Sequence, residues 1–122
     1  MEYDKNNIFA KILRGEIPCE KVHEDEYVLA FHDLNPQKKI HVLVIPKGEY
    51  VNLDDFSLKA SEKEIVGLIK GIAIVTKKIG VSDLAKGEGY RSLVNVGKNG
   101  GQEVPHLHFH ILGGEKIGKM VS

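Results

Sequence analysis

The feature that most constrains the fold is an apolar run in which histidine occupies every second position, HLHFHIL. Side chains alternate between the two faces of a β-strand, so this spacing predicts a strand with His106, His108 and His110 on one face and apolar side chains on the other. Three neighbouring imidazoles do not make an ordinary core surface, because each would need hydrogen-bond partners there. The histidine face is therefore the first candidate for a functional site.

Patterns of apolar residues elsewhere predict four more strands. They are expected at about 20–24 and 27–32 as a hairpin, in KKIHVLVIPKG and in GYRSLVNVG, ahead of the histidine strand VPHLHFHIL. The third of these strands is apolar on both faces, which favours a central position. The order of elements lacks a regular βαβ alternation and favours the α+β class, an antiparallel sheet of five strands backed by two helices.

Two segments show helical spacing of apolar residues. The first is IFAKIL, with Asn6 or Asn7 as its N-cap. The second is FSLKASEKEIVGLIKGIAIVTKKIG, in which Ser61 and Glu64 form a capping box. The core face of this second helix is expected to carry apolar residues at helical spacing, namely Ile65, Leu68, Ile69, Ile72 and Ile79.

Length and composition limit the class of protein. A chain of 122 residues is expected to form one domain over 1–122. Its 17 Lys and Arg balance 17 Asp and Glu, so no net charge attracts it to nucleic acid or to a membrane surface. The single cysteine, Cys19, excludes an internal disulfide and fits a reducing compartment. With no apolar leader and no run of about 18 apolar residues, a cytoplasmic protein is expected.

Two chemical interpretations of the histidine strand remain open. Imidazole is a common metal ligand, and His41 in the third strand could join the row as a further zinc ligand, although the chain has neither a second cysteine nor a helical H-E-x-x-H. Phosphate chemistry is favoured by Gly97, Gly100 and Gly101 in VGKNGGQEV, where bare backbone N–H groups can approach an anion. No G-K-[ST] follows this loop and no helix is expected to begin there, so it is not a Walker loop.

Several motifs together resemble a known family. HLHFHIL matches the H-x-H-x-H-x-x signature of the histidine triad (HIT) superfamily. IFAKILRGEIP, AFHDLNPQ, HVLVIPKG and YRSLVNVG…GGQEVPHLHFHILGG are similar to its Hint branch, the purine nucleoside phosphoramidases, from Ile8 to Gly114. The resemblance implies a HIT-like fold, a homodimer, and hydrolysis of purine nucleoside phosphoramidates or acyl- and aminoacyl-AMP substrates, with AMP or GMP derivatives as ligands.

The resemblance also implies a role for each histidine. His108 would be the nucleophile, its neutral Nε2 attacking the α-phosphorus to form a nucleotidyl–histidine intermediate. The backbone carbonyl of His106 would accept a hydrogen bond from its Nδ1–H. His110 and His41 would polarise the phosphate oxygens or support the triad, and a structural hydrogen bond is the alternative for His41. Neither a metal nor another cofactor would be required.

The nucleotide would lie beside this row. Asp33 would accept hydrogen bonds from the ribose hydroxyls, although a residue before LNP also fits a turn. The walls of the base pocket would be Phe31, His32 and Leu34 on one side and Ile8 and Phe9 on the other, with plain core packing as the alternative for the two phenylalanines. The phosphate and leaving group would contact Asn95, Gly101, Gln102, Glu103 and Val104.

Two positions and the C-terminal tail depart from the family pattern and leave the identity of the leaving group open. Glu103 stands where animal members have serine; it would bind the amine of a lysyl leaving group, act as its acid, or be an exposed loop residue. Pro105 replaces an aromatic residue, and the tail EKIGKMVS is short and lacks tryptophan. Two rival functions also stay open, a purine nucleotide-binding interaction module with vestigial catalysis and a zinc-binding histidine site.

Overall fold

The structure is a computed structural model that describes residues 1–121. Helices and strands follow one another along the chain in this order: α1 (Ile8–Leu13), β1 (Lys21–Glu24), β2 (Val28–His32), β3 (Ile40–Pro46), α2 (Leu53–Lys59), α3 (Glu62–Lys78), a 3₁₀ turn (Asp83–Ala85), β4 (Arg91–Val94), α4 (Gly97–Gly100) and β5 (Phe109–Gly113). No helix within residues 1–121 is long and apolar enough to cross a membrane.

The five strands form one antiparallel sheet in the order β1-β2-β3-β5-β4. The central position predicted for β3 is confirmed, since it pairs with β2 on one side and β5 on the other. In the register between β3 and β5, Leu43 pairs with His110 and His41 pairs with Leu112. Directly paired residues share a face, so His41 and His110 project from the same side of the sheet.

The two faces of the sheet are covered unequally. The seventeen-residue α3 packs on one face, where Leu68 and Val75 meet an almost fully buried set of sheet residues. That set is Val28, Ala30, Val42, Val44 and Ile111. The six-residue α1 packs on the other face through Phe9 and Ile12 and covers only part of it. The uncovered part is the face that carries His41 and His110.

Helix capping follows the sequence patterns closely. Asn7, not Asn6, caps α1, because its side-chain oxygen accepts from the Ala10 N–H at 2.9 Å. The capping box between Ser61 and Glu64 at the start of α3 is confirmed in both directions. Its effect is to begin a helix at Glu62, so the stretch predicted as one helix contains two, α2 and α3, separated by the extended Ala60.

The core stripe predicted for α3 is partly wrong. Ile69 is 60% exposed and Ile65 is 37% exposed, whereas Val75, which lies outside the predicted stripe, is fully buried. Apolar residues surround most of this helix, and small residues decide which side meets the sheet. A Cβ at Gly71 would lie 2.7 Å from a methyl group of Val28, so the missing side chain allows the sheet to approach at that position.

The histidine strand is shorter than predicted. β5 begins at Phe109, so His106 and His108 precede it and only His110 belongs to the ladder. Pro105 has no N–H to donate. The backbone N–H groups of His106 and Leu107 donate instead to Val104 O and Tyr50 O, both at 2.8 Å. The expectation that no helix begins in the glycine loop is also wrong, since α4 forms one turn there.

Candidate functional site

A cavity of about 460 Å³ opens on the face of the sheet that α1 only partly covers. Its lining contains all the sequence-predicted site residues except His106 and Gln102. Most of the lining is apolar, and the polar groups come from the histidines, the loop after β2, Asn95 after β4 and the segment between α4 and β5. A cavity of this size, with few convergent polar groups, is typical of a small-molecule site.

His108 lies in the wall of this cavity with only 7% of its surface exposed. Its Nδ1 is 2.7 Å from the backbone oxygen of His106, the contact that the family resemblance implies. A carbonyl oxygen can only accept, so Nδ1 carries the proton and Nε2 is left with a lone pair. The ring is held edge-on against Phe9, with 4.9 Å between ring centroids. The geometry therefore presents a fixed, unprotonated ring nitrogen.

His110 has the opposite tautomer, and the cause lies in β3 and the loop before it. The backbone N–H of Gln37 donates to His41 Nδ1 at 3.0 Å, so His41 carries its proton on Nε2. That Nε2–H donates to His110 Nδ1 at 2.9 Å, which places the proton of His110 on its own Nε2. The rings of His108 and His110 are 5.1 Å apart. One cavity wall thus combines a lone pair with a hydrogen-bond donor.

Burial keeps these imidazoles neutral. It is the largest cause of a lowered pKa at His41 and His108, and it lowers the pKa of His110 to about 4. The carboxylates of Asp33 and Glu103 oppose this effect at His108 without reversing it. A neutral imidazole is the form that can act as a nucleophile.

His106 lies outside the cavity lining and is fully buried. Its Nε2 is 2.8 Å from Pro46 O, and its Nδ1 is 2.6 Å from the hydroxyl of Tyr3. Burial lowers the pKa of its ring to about 4. The backbone carbonyl of His106 orients His108, while its side chain fixes the segment that carries this carbonyl.

Gln102 also lies outside the lining, because its side chain is used within the protein. Its Nε2 donates to Val51 O at 2.7 Å and to Val104 O at 3.0 Å, and its Oε1 accepts from Gly97 N at 3.3 Å. These bonds attach the glycine loop to the chain before α2. The role predicted for Gln102 at the phosphate remains a prediction, and the geometry gives this side chain a structural task.

The glycine loop presents less free backbone than the sequence indicates. Gly101, which lines the cavity, has φ of +75° and donates its N–H to Lys98 O at 3.2 Å. The next N–H, that of Gln102, donates to Gly97 O at 3.1 Å. Both groups close the turn of α4 and are therefore not free to bind an anion.

Asp33 serves two purposes at the cavity edge. Its Oδ1 accepts from the Asn35 N–H at 2.9 Å, the turn bond expected for aspartate in this position. Its Oδ2 is 3.4 Å from His41 Nε2, and its side chain remains 22% exposed toward the cavity. Both roles considered from the sequence, a turn residue and a polar pocket residue, are compatible with this placement. The neighbouring Leu34 is 78% exposed at the rim.

Asp33, His41 and His110 also offer ligand atoms that all lie within 4.8 Å of one another. A carboxylate oxygen and two imidazole nitrogens are donors that zinc accepts. The zinc interpretation therefore retains a candidate site, in which His41 is joined by His110 alone of the histidine row. His106 is not part of this group.

The sequence analysis missed part of the lining. The additional residues are Ile12, Pro18, Cys19, Asn35, Gln37 and Leu43. Burial raises the pKa of the Cys19 thiol, which therefore contributes an uncharged, weakly polar surface. Gln37 acts on His41 through its backbone N–H, for which the residue type gives no signal. The alternation of Leu43 with His41 along a predicted strand could have placed it on this face.

Comparison with known proteins identifies the family of this fold and site. The HIT domain matches residues 14–117. An uncharacterized HIT-like protein of Azospirillum brasilense is 53% identical over 120 residues, covering 98% of this chain and 95% of that protein. The purine nucleoside phosphoramidase of Escherichia coli is 36% identical over 118 residues, covering 97% of this chain and 95% of the enzyme.

Solved structures give the same assignment. A histidine triad protein from Clostridium difficile has a TM-score of 0.81 at 43% identity, with 98% of each chain covered. A HIT family hydrolase from Clostridium thermocellum has a TM-score of 0.85 at 34% identity, with 98% of this chain and 99% of that one covered. These similarities confirm the HIT fold inferred from the histidine motif.

The buried histidines predict a loss of stability in acid. An unfolded histidine has a pKa of about 6.5, whereas the folded pKa of His106 is about 4. Between these pH values the unfolded chain binds more protons, so the free energy of unfolding falls as the pH is lowered from 7 to 4, by about 3 kcal/mol for His106. Urea unfolding at a series of pH values measures this slope.

The variants His106→Gln and His32→Gln test whether the buried imidazole causes this dependence of stability on pH. His106→Gln removes the fully buried imidazole and is expected to flatten the pH dependence. His32→Gln removes an exposed imidazole at the cavity rim and is expected to retain it. Equal slopes for wild type and His106→Gln would contradict the prediction.

Proposed function

The chain belongs to the HIT domain family, and from this premise we propose that it is a nucleotide hydrolase that releases a nucleoside monophosphate from purine nucleoside 5′-phosphoramidates or from acyl- and aminoacyl-AMP substrates. The observation that carries the proposal is the hydrogen bonding of His108 and His110, which assigns opposite tautomers to the two rings. They place a nucleophilic lone pair and an N–H donor side by side in the wall of a cavity large enough for a nucleotide.

In the first proposed step, His108 Nε2 attacks the α-phosphorus and forms an N–P bond as the bond from phosphorus to the leaving nitrogen or oxygen breaks. The electron pair of the broken bond goes to the leaving group, which takes a proton when it is an amine. The imidazole gains positive charge, and its Nδ1–H remains bonded to the carbonyl of His106, which stabilises that charge. In the second step, water attacks phosphorus and forms an O–P bond as the N–P bond breaks. The electron pair of the N–P bond returns to His108 Nε2, the water loses a proton to the solvent, and the nucleoside monophosphate is released.

The phosphoryl oxygens gain negative charge in both steps, and a fixed donor toward them lowers the barrier. His110 is suited to this role because its Nε2–H is set by His41 and needs no reorganisation during the reaction. Glu103 lines the same cavity and faces the leaving group in this proposal, where it either binds a cationic amine or supplies its proton.

The nucleoside would lie between α1 and β2. Phe9 and Phe31 meet edge to face at 5.6 Å between centroids, forming an apolar wall beside Ile8. Asp33, at the polar end of the same cavity, is the proposed acceptor for the ribose hydroxyls. This arrangement supports both packing and binding roles for the phenylalanines, since their buried rings still line the cavity.

We propose that the reaction needs no metal, because His108 supplies the nucleophile and His110 supplies the donor. The group formed by Asp33, His41 and His110 favours one rival, a zinc site in the same cavity. Zinc there would require a deprotonated His41 Nε2 and so would remove the bond that sets His110. The two interpretations therefore predict opposite responses to a chelator.

The first test is hydrolysis of an adenosine 5′-phosphoramidate in the presence of EDTA, followed by release of AMP. Wild type is expected to be active, and His108→Ala to lose at least about 100-fold in kcat, because the attacking atom is removed. His23→Ala is the matched control, since His23 lies outside the cavity and bonds Asp25 instead.

Retained AMP binding by calorimetry would show that His108→Ala is folded. A wild-type rate of hydrolysis in that folded variant would refute the role of His108 as the nucleophile. Activity lost to EDTA in wild type would favour the zinc site. AMP binding without hydrolysis by wild type would favour a nucleotide-binding module instead of an enzyme.

Asp33→Asn tests the ribose contact. The amide keeps an oxygen to accept from the Asn35 N–H but loses the charge, and a hydrogen bond to a charged acceptor contributes about 1.5–3 kcal/mol. The dissociation constant for AMP is therefore expected to rise about tenfold or more by calorimetry. Asp54→Asn, on the exposed side of α2, is the control and should bind as wild type does. Equal affinities for both variants would exclude Asp33 from the binding site.

We also propose that the protein is a homodimer that pairs through α3. Val66, Ile69 and Ile74 are 54%, 60% and 39% exposed on this helix, away from the sheet. A partner copy would remove this apolar surface from water.

Light scattering is expected to give a mass twice the chain mass of 13.5 kDa. The variant Ile69→Glu is expected to lower the measured mass toward that of one chain. Leu58→Glu, on the exposed side of α2, should leave it unchanged; a monomeric wild type would reject the dimer.

A further inference from the structure

The fully buried side chain of His106 has both ring nitrogens in short hydrogen bonds. Its Nε2 lies 2.8 Å from Pro46 O, and its Nδ1 lies 2.6 Å from the hydroxyl of Tyr3. The carbonyl oxygen of Pro46 can only accept, so Nε2 carries the proton and Nδ1 holds a lone pair. The Tyr3 hydroxyl is therefore the donor in its bond with His106, across 103 residues of chain.

His106 connects Tyr3 to the proposed nucleophile. The same residue that receives the Tyr3 hydroxyl on its ring offers its backbone carbonyl to His108 Nδ1 at 2.7 Å. The bonds of the His106 ring to Pro46 and Tyr3 anchor the segment that carries this carbonyl, and the carbonyl is the acceptor that sets the direction of His108 Nε2. Phe9 contacts both rings edge-on, at 6.3 Å from His106 and 4.9 Å from His108, so the three side chains form one packed unit.

The start of α1 holds Tyr3 in place. Asp4 O accepts from the backbone N–H of Asn7 at 3.2 Å and from its side-chain Nδ2 at 2.7 Å. Asn7 is buried and caps α1, the helix that carries Phe9 to the cavity. The residue that follows Tyr3 is therefore bonded to the helix that carries Phe9. Its ring lies edge-on to His106, with 5.6 Å between centroids and 72° between planes.

We propose that Tyr3 is a positioning residue for His108, acting through the side chain of His106 to fix the direction of the attacking nitrogen. This inference rests on the proposed function, since it assigns Tyr3 a task in the same reaction. Tyr3 does not line the cavity, so it contacts neither the nucleotide nor the leaving group. Burial raises the pKa of its hydroxyl, which remains a protonated donor at neutral pH.

The variant Tyr3→Phe removes only the donor and keeps the ring that packs on His106. Loss of this bond leaves a buried imidazole nitrogen without a partner, and the ring is expected to reorient. A small displacement of a reacting atom lowers the chemical rate more than binding, so kcat is expected to fall about tenfold while KM changes less than about threefold.

Tyr50→Phe is the matched control. Its hydroxyl donates to Glu64 Oε2 at 2.8 Å, so this variant also loses one tyrosine hydrogen bond but not one that reaches a histidine. It is expected to show a loss of stability comparable with that of Tyr3→Phe and a wild-type kcat. A kcat that falls equally in both variants would mean that Tyr3 contributes stability alone and would overturn the proposal.

The second readout is independent of activity. Nitrogen-15 spectra of the histidine rings distinguish a protonated ring nitrogen from one with a lone pair and respond to its hydrogen bonds. Tyr3→Phe is expected to shift the Nδ1 signal of His106 and both ring signals of His108, with Tyr50→Phe unchanged. Wild-type signals for both histidines in Tyr3→Phe would overturn the inference even if kcat fell.

The nitrogen-15 spectrum also distinguishes a failure of the proposed hydrolase function from a failure of the positioning role of Tyr3. A wild-type protein that hydrolyses no phosphoramidate would refute the proposed function. The coupling from Tyr3 to His108 would then still be supported by shifted His108 signals, or overturned by unshifted ones. Shifted signals with a wild-type kcat would overturn the positioning role in catalysis.

Discussion

The hydrogen bond from His108 Nδ1 to the carbonyl of His106 is the interaction on which the rest of the site depends. It selects the tautomer that leaves Nε2 unprotonated, and it needs an acceptor that no sheet ladder uses. The late start of β5 supplies this acceptor, because His106 lies before the first paired residue, Phe109. A fully regular strand over the histidine motif would direct this carbonyl into the ladder. The break in the strand is thus the condition for the orientation of His108.

The two faces of the sheet are covered unequally, which explains why the oriented ring of His108 borders a cavity. The long α3 packs along one face, whereas the short α1 leaves part of the other face open. The imidazoles on that open face are buried deeply enough to have lowered pKa values but still border the cavity. The same desolvation that costs stability in acid keeps the nitrogens of His108 and His110 in their neutral forms at neutral pH.

The sequence predicted those features of the structure that depend on the type and spacing of side chains. The capping box and the apolar central strand correctly indicated the start of α3 and the position of β3, and the alternating histidines indicated a face that borders the cavity. The tautomers were beyond such patterns, since they depend on the backbone groups of Gln37, Pro46 and His106. Nothing in the spacing links Tyr3 to His106, because only the folded chain brings them together. The sequence did not predict correctly which side of α3 is buried, because that side includes the close approach of Gly71 to Val28.

The two chemistries that the histidine motif allows exclude each other within this fold. A cation bound by Asp33, His41 and His110 would need a lone pair on His41 Nε2, and that nitrogen now holds the proton that it donates to His110. Removing this proton would break the hydrogen bond between His41 and His110 and would place a positive ion beside the ring of His108. The backbone N–H of Gln37 opposes this change, because it occupies the other nitrogen of His41 and so holds the proton on Nε2. The loop before β3 therefore favours the donor arrangement over the metal site.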